Sequence, residues 1–359
     1  MKSGWQKKPF EDCIEKVTYT AKVQRKDFLD DGAYPIISQE NDFINGYWNN
    51  EADIFHVTTP IVVFGDHTKV LKYVDFDFVL GADGVKVLEP RVFLLPKFFF
   101  YQLQAVNLDS LGYARHYKLL KEQEIVYPPL PEQQRIVGIL DEAFDSIATA
   151  KANAEKNLQN ARALFEGHRH SVFQKKNGEW IKTTIDRISS NLDSRRIPIT
   201  KSKRKSGKYP YYGASGIVDY VSEYIFDEDT LLVSEDGANL LARTTPIAFS
   251  VSGKYWVNNH AHILKFENMT TQKFVENYLE SIKLDDYITG AAQPKLNQSA
   301  LNSIPIPIPK SVTEQAKIVE SIEKLAVETQ RLESIYQKKL DALDELKKSL
   351  LNLAFSGEL

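Results

Sequence analysis

The 359-residue chain has a single cysteine, Cys13, which excludes an internal disulfide framework and any cysteine-built zinc cage. No apolar run approaches the roughly 20 residues needed to span a bilayer. The start, MKSGWQKKPFEDC, lacks the apolar core of a secretory signal. A reduced, cytoplasmic protein without a membrane partner is expected. Neither sign of charge dominates: 45 Lys and Arg against 48 Asp and Glu leave −3, so any nucleic-acid footprint must be a local patch. Catalytic signatures are missing too. There is no G-x-x-x-x-G-K-[ST] phosphate loop and no strand-linked G-x-G-x-x-G. Neither Asn-Pro-Pro-aromatic nor Asp-Pro-Pro-aromatic, the amino-methyltransferase signature, occurs, and no nucleophile–base constellation is found. The expectation is a non-catalytic reader with no metal or cofactor site of its own.

What is present is ordinary for a globular protein. Hydrophobic residues at 43% and charged residues at 26% argue against disorder, and roughly 150 residues per domain suggests about two domains. The chain repeats itself. GWQKKPFEDC from Gly4 is echoed by EWIKTTIDRI from Glu179, and Tyr34-Pro35 by Tyr209-Pro210. The stretch from Leu111 to Ala143 is answered by that from Ile288 to Ile322; both run from a glycine-containing turn through prolines into Glu-Gln-x-x-Ile-Val. Shared order makes this a duplicated unit. Before the prolines lie short β-like runs such as PIVVFG, FDFVLG and TLLVSEDG, broken by Gly, Asn and Asp turns.

After the prolines come long helical stretches. From about Thr313 to Phe355 an apolar stripe runs through Ile318, Ile322, Leu325, Thr329, Leu332, Tyr336, Leu343, Leu346, Leu350 and Leu353. Only Lys339 interrupts it, as in a coiled-coil seam. From about Pro131 to Phe173 a smaller seam uses Ile136, Leu140, Ala143, Ile147, Ala150, Ala154, Ala161 and Leu164. A helix of about 40 residues is about 60 Å long at 1.5 Å per residue. If the seams pair they must run antiparallel. The expected class is therefore α+β: two similar, mixed β-rich heads, residues 1–130 and 176–310, joined by two long antiparallel coiled-coil helices, residues 131–175 and 311–359, with pseudo-two-fold symmetry. Pro128, Pro129 and Pro131, like Pro305, Pro307 and Pro309, cannot belong to a central strand and are expected to be stiff struts.

Two segments could carry DNA chemistry. The strongest basic run is Arg195, Arg196, Lys201, Lys203, Arg204, Lys205 and Lys208, leading into Tyr211 and Tyr212; its thinner counterpart is Lys22, Arg25 and Lys26. Basic side chains beside aromatics suit phosphate contacts at a groove, although a charge run of this kind also occurs as a solvated loop. The second is the turn with Gln293, Lys295 and Asn297, matched by Arg115, His116 and Lys118. These are base-edge and phosphate donors, and equally the residues of a polar turn. The histidines offer little: His168 and His170 are two apart on a helix and face different ways, and the partners of His260 and His262 in the first repeat are Gly84 and Lys86.

The pattern closely resembles the specificity subunit of bacterial type I restriction–modification systems. The resemblance rests on Pro128-Pro-Leu-Pro-Glu-Gln-Gln-Arg-Ile-Val137 with Leu-Asp-Glu-Ala-Phe144, on Thr289-Gly-Ala-Ala-Gln-Pro-Lys-Leu-Asn297, on Ile304-Pro-Ile-Pro-Ile-Pro309 with Glu314-Gln315, and on the terminal Ala354-Phe-Ser-Gly-Glu358. It covers essentially the whole chain. It implies two target-recognition domains, each reading half of a split, asymmetric site in double-stranded DNA. The helices would be the ruler and the docking surface for two adenine-N6 methyltransferase subunits, with restriction/translocase subunits joining that core. S-adenosylmethionine, ATP and Mg would belong to those partners. Ile139, Phe144, Phe165, Ile335 and Leu340, apolar and outside the seams, are the expected partner-facing residues. The alternatives are a specificity chain serving a type II-like methyltransferase–nuclease, and a coiled-coil scaffold that binds no DNA.

Overall fold

The structure is a computed structural model that describes residues 4–109, 111–112, 114–174, 179–290 and 292–359. Tyr113 and Ala291 of the two glycine turns, and Lys175 at the expected end of the first helix, lie outside the described residues. The chain divides into two compact units, residues 1–155 with 338–359, and residues 156–337. Each unit keeps a portion of both long helices, whereas the sequence reading set helices and heads apart. Among the described residues no helix is long and apolar enough to cross a membrane.

In the first unit the apolar run Ile61–Gly65 is buried at every position and lies between Leu71–Val74 and Val85–Leu88 in an antiparallel sheet. A strand covered on both faces needs no polar alternation. A second sheet centres on Phe78–Gly81, which runs parallel to Tyr34–Ile37 and Lys22–Val23 and antiparallel to Ile54–Phe55. Tyr34–Ile37 then pairs antiparallel with Gly46–Trp48. Ile37, Val63, Phe78, Leu80 and Val85 share one core. Val62, Phe64 and Leu88 join Phe98 and Phe99 of helix Pro96–Ala105 and Ile136, Leu140, Leu351 and Ala354 of the long helices in another.

The second unit follows the same plan. Thr230–Ser234, also buried throughout, lies between Ala248–Val251 and Ala261–Phe266. Ser206–Gly213 pairs antiparallel with Gly216–Val221 and parallel with Lys254–Val257. That is the arrangement of Tyr34–Ile37 with Gly46–Trp48 and Phe78–Gly81, so Tyr34-Pro35 and Tyr209-Pro210 occupy equivalent strands. Gln6–Pro9 pairs with Glu124–Tyr127 in the first unit, and Trp180–Thr184 with Pro305–Pro309 in the second. The expected second strut is thus a strand. Among the described residues its sheet has two strands, so one side of it makes no ladder bonds there, and alternate prolines turn their missing N–H to that side.

The two long helices are Leu130–Gln174 and Val312–Ser356. In the second, Val319, Ile322, Thr329, Leu351 and Ala354 are buried and Ala326, Tyr336, Leu340, Leu343 and Leu350 half-buried, mostly at spacings of three, four and seven. The expected stripe shares one column with this row: Ile322, Thr329, Tyr336, Leu343 and Leu350. In its other column Ile318 and Leu325 are half-buried, but from Leu332 onward the column is displaced by one residue. Leu332, Leu346 and Leu353 are 37%, 47% and 37% exposed, and the interrupting Lys339 stands beside Leu340, which takes the inward place. In the first helix Leu164 is 66% exposed and Phe165 half-buried instead. Adjacent apolar residues give two neighbouring columns of equal period, and only packing decides between them. Within the first unit Lys151 pairs with Asp344 at 2.7 Å. Within the second, Arg162 pairs with Glu333 at 2.6 Å and His168 meets Ser321 at 3.2 Å. With Arg135 donating to the Leu359 carbonyl at 2.7 Å in the first unit, both sets of contacts are antiparallel.

Candidate nucleic-acid interface

In the second unit the basic run sorts into two populations. Its arginines are paired with the chain's own acids. Arg195 Nη1 donates to Glu228 at 2.5 Å, with the guanidinium 4.7 Å from the Phe226 ring. Lys265 and then Arg195 hold the Glu228 carboxyl below the usual range. Arg196 pairs with Glu235 at 2.5 Å and donates to the Ala261 carbonyl at 2.9 Å. Arg204 pairs with Asp219 at 3.2 Å and lies 4.4 Å from the centre of the Tyr211 ring. The Tyr220 N–H and Arg204 hold Asp219 below its ordinary value. The lysines differ. Lys201, Lys203, Lys205 and Lys208 are exposed and, among the described residues, form no ion pair.

Tyr211 is 1% exposed and its hydroxyl accepts from the Ile199 N–H at 3.1 Å, so this ring supports Arg204 and cannot stack on a base. Tyr212 is half-buried against Phe249 and Tyr255. Both tyrosines follow the basic run in sequence, but the strand carries them inward.

The turn 289–297 is closed by reciprocal backbone bonds between Thr289 and Lys295, at 2.9 and 2.8 Å. Gly290 has φ +86°, and a Cβ there would lie 2.5 Å from the Gln293 carbonyl oxygen, so only glycine fits. Gln293 is exposed. Lys295 is exposed but bonded to Glu235 at 3.1 Å. Asn297 accepts from the Ala300 N–H at 2.9 Å and caps helix Gln298–Ser303, so its side-chain oxygen is committed.

Basic run and turn meet at one buried residue that the sequence reading passed over. His262, 1% exposed, has Nδ1 2.5 Å from Asp193 and Nε2 2.8 Å from the Leu296 carbonyl. Both ring nitrogens thus face acceptors, one on each side of the ring. Burial pushes Asp193 up, but His262, the Ile263 N–H and Arg196 outweigh it and hold the carboxyl below its usual value. For Glu235 the same contest is won by Arg196, His262 and Lys295. Asp193, Glu235 and His262 cluster as metal ligands would. Yet both His262 nitrogens face acceptors, and Arg196 and Lys295 occupy the Glu235 oxygens, so the donor set fits an ion-pair network rather than a cation.

The first unit repeats the pinning with other residues. His116 N–H donates to the Asp66 carbonyl at 2.7 Å, as Leu296 N–H does to the Glu235 carbonyl at 2.8 Å. Asp66 and Glu235 each follow directly on the buried central strand. His116 is 1% exposed, accepts from the Leu111 N–H at 3.0 Å and meets the Asp66 carbonyl through Nδ1 at 3.1 Å. It anchors the turn, contrary to its expected place on DNA. Arg115 and Lys118 face outward. Lys22 donates to the Val85 carbonyl at 3.0 Å and burial lowers its basicity. Arg25 pairs with Glu40 at 2.8 Å, and Lys26 is exposed.

Of the five expected partner-facing residues, only Ile335, at 47%, is exposed. Phe144 packs edge-on to Tyr101 with Lys347 over its ring. Phe165 lines the second unit's core, Leu340 stands in the inward row, and Ile139 is half-buried. Leu164, Val327, Leu332 and Leu346 are exposed instead.

The profile of the type I restriction modification DNA specificity domain matches twice, over residues 2–159 and 174–341. The chain is 33% identical over 187 residues to a putative type I restriction enzyme specificity subunit of Haemophilus influenzae, spanning 47% of this chain and 48%, about half, of that protein. It is 24% identical over 340 residues to the EcoR124I/EcoR124II specificity subunit of Escherichia coli, spanning 84% and 81%. A solved chain from work on complex assembly and conformational transition of the type I R-M system superposes with a TM-score of 0.74, at 13% identity, over 99% of both chains. The HsdS subunit from Thermoanaerobacter tengcongensis gives 0.56 at 14% identity, over 100% and 98%. Two recognition domains of one kind, matched in tandem over most of its length, place this chain in the type I restriction–modification specificity-subunit family.

Proposed function

We propose that the chain is the non-catalytic DNA-reading subunit of a type I restriction–modification complex, each unit reading one half of a bipartite, asymmetric site in double-stranded DNA. The observation that carries this reading is the sorting of cations in the second unit. Its arginines are consumed by internal acids, while Lys201, Lys203, Lys205 and Lys208 stand exposed without ion pairs among the described residues. Exposed, unneutralised lysines in a row suit a phosphate backbone. In this reading Lys26, Arg115, Lys118 and Gln293 join them as contacts, and Arg195, Arg196, Arg204, Lys22, Arg25, Lys295 and Asn297 position the segments that carry them.

The finer architecture belongs to the same proposal. The long helices form an antiparallel coiled-coil spacer that sets the gap between half-sites. Ile335, with the exposed Leu332 and Val327, offers apolar surface to two adenine-N6 methyltransferase subunits, and restriction/translocase subunits join that core. S-adenosylmethionine, ATP and Mg enter with those partners, in the cytoplasm where the DNA is. The test is sequencing of N6-methyladenine in host DNA with and without the gene. One split methylated motif should vanish on deletion. An unchanged methylome, with no binding of the chain and its neighbouring methyltransferase to DNA, would overturn the reading.

A further inference from the structure

The antiparallel strand Gly216–Val221 lies at the outer edge of its four-stranded sheet. Its register against Ser206–Gly213 slips: Tyr211 faces Asp219, while the next residue, Tyr212, faces Ile217. Val218 is therefore the extra residue of a β-bulge. A regular strand would send Ile217 and Val218 to opposite faces. The bulge leaves both outside, at 47% and 55% exposure, with Tyr220 at 50%. Exposed aliphatic side chains on a free sheet edge invite unwanted pairing, so their presence calls for an occupant.

The surroundings select one. Strand Ser206–Gly213 is entered through Lys201, Lys203 and Lys205 and carries Lys208, all exposed. Asp219, the acid on the bulged strand, is already bound by Arg204. A hairpin with an apolar strip towards its turn and exposed lysines towards its base fits a polyanion with apolar groups on its inner surface. In duplex DNA those groups are the C5-methyls of thymine in the major groove, which aliphatic and aromatic side chains contact.

The first unit supplies an independent parallel. Its equivalent strand pair, Tyr34–Ile37 with Gly46–Trp48, is joined by a segment whose Phe43 and Ile44 are 45% and 40% exposed. That segment is fixed from beneath by the buried Lys72, whose Nζ donates to the carbonyls of Asp42 and Phe43 and to Asn45 Oδ1. Different local devices, a bulge and a buried lysine, thus present an adjacent apolar pair at the same place in the fold.

Resting on the DNA-reading function, we infer that this hairpin is the base-reading edge of each unit, with Ile217 and Val218 in one and Phe43 and Ile44 in the other contacting thymine methyl groups. The experiment uses the full chain with its methyltransferase and a duplex bearing the methylated motif, in which each thymidine is replaced in turn by deoxyuridine, removing only the methyl. At least one replacement should weaken wild-type binding about fourfold, the effect of one buried methyl group. That sensitivity should vanish in Ile217→Ser/Val218→Ser, with thermal stability unchanged. A second sensitive position should respond only to Phe43→Ser/Ile44→Ser. A motif without thymine, wild-type indifference to every replacement, or variants that keep the discrimination would overturn the assignment while leaving DNA reading intact. Failure of the wild type to bind the duplex at all would strike the DNA-reading function itself.

Discussion

The Nε2 of Gln133 donates to the Pro128 carbonyl at 2.8 Å, binding the start of the first long helix to the prolines before it. Gln315 does the same to Pro309 at 2.8 Å in the second unit. Both amides are buried. Gln133 also donates to the Phe93 carbonyl and accepts from the Leu95 N–H, and Gln315 accepts from the Thr271 hydroxyl. The repeated Glu-Gln motif is therefore a staple that fixes where each long helix leaves its sheet. Gln133→Leu should cost more than about 3 kcal/mol, because three buried partners are left unpaired at about 1–3 kcal/mol each. Equilibrium urea unfolding measures it, and an unchanged midpoint would remove the staple from the account.

The duplication, the buried central strands and the long helices were legible in sequence because each depends on a local pattern: shared order, an apolar run, a period near 3.5. The candidate contact residues were less so. Tyr211 and His116 have the composition of contact residues and the positions of core residues, and only the tertiary path turns them inward. The pairing of Arg196 with Glu235, or of His262 with Asp193 across 69 positions, has no local trace. The bulge at Val218 was hidden for a related reason: a one-residue slip shows only against the partner strand.

The displaced stripe on Val312–Ser356 yields a contrast between two nearby residues. Ile322, 1% exposed, lies in the column facing the other helix, and Ile322→Asp should destabilise by more than about 3 kcal/mol through a buried, unpaired carboxylate. Leu332→Asp, at a 37% exposed position, should stay within about 0.5 kcal/mol while impairing methyltransferase docking. Thermal unfolding together with complex formation on size exclusion reads both, and equal losses of stability would return Leu332 to the interior.

Charge sorting predicts separate signatures for lysines and arginines. Replacing Lys203, Lys205 and Lys208 by Ala should flatten the dependence of log Kobs on log salt by about 0.9 for each phosphate no longer neutralised, with little change in stability. Arg196→Ala should do the reverse. It takes one of several partners from Asp193 and Glu235 in a largely buried site, and losing a hydrogen bond to a charged group costs about 1.5–3 kcal/mol. Salt titrations of DNA affinity, set beside melting curves, separate the two classes; a lysine variant with an undiminished slope would take that residue off the DNA.

The His262 network also fixes a sign for pH dependence. Asp193 and Glu235 are held below their ordinary values of 3.8 and 4.5. A carboxyl with a depressed folded pKa stabilises fully above its unfolded value, and that stabilisation is lost as pH falls through the folded one. The second unit should therefore be at full strength above about pH 5.5 and weaken below about pH 4.5 as these groups take up protons. Glu280, which burial holds above its ordinary value, contributes with the opposite sign, but equally in any variant that leaves it alone. Glu235→Gln is such a variant. It should be less stable than the wild type at pH 7 by about 1–3 kcal/mol, the cost of disrupting charged hydrogen bonds, and the two proteins should converge as the pH falls toward 3. Parallel melting curves from pH 7 to pH 3 test this. A gap that stayed constant would mean that the Glu235 carboxylate does not stabilise the folded unit through its charge.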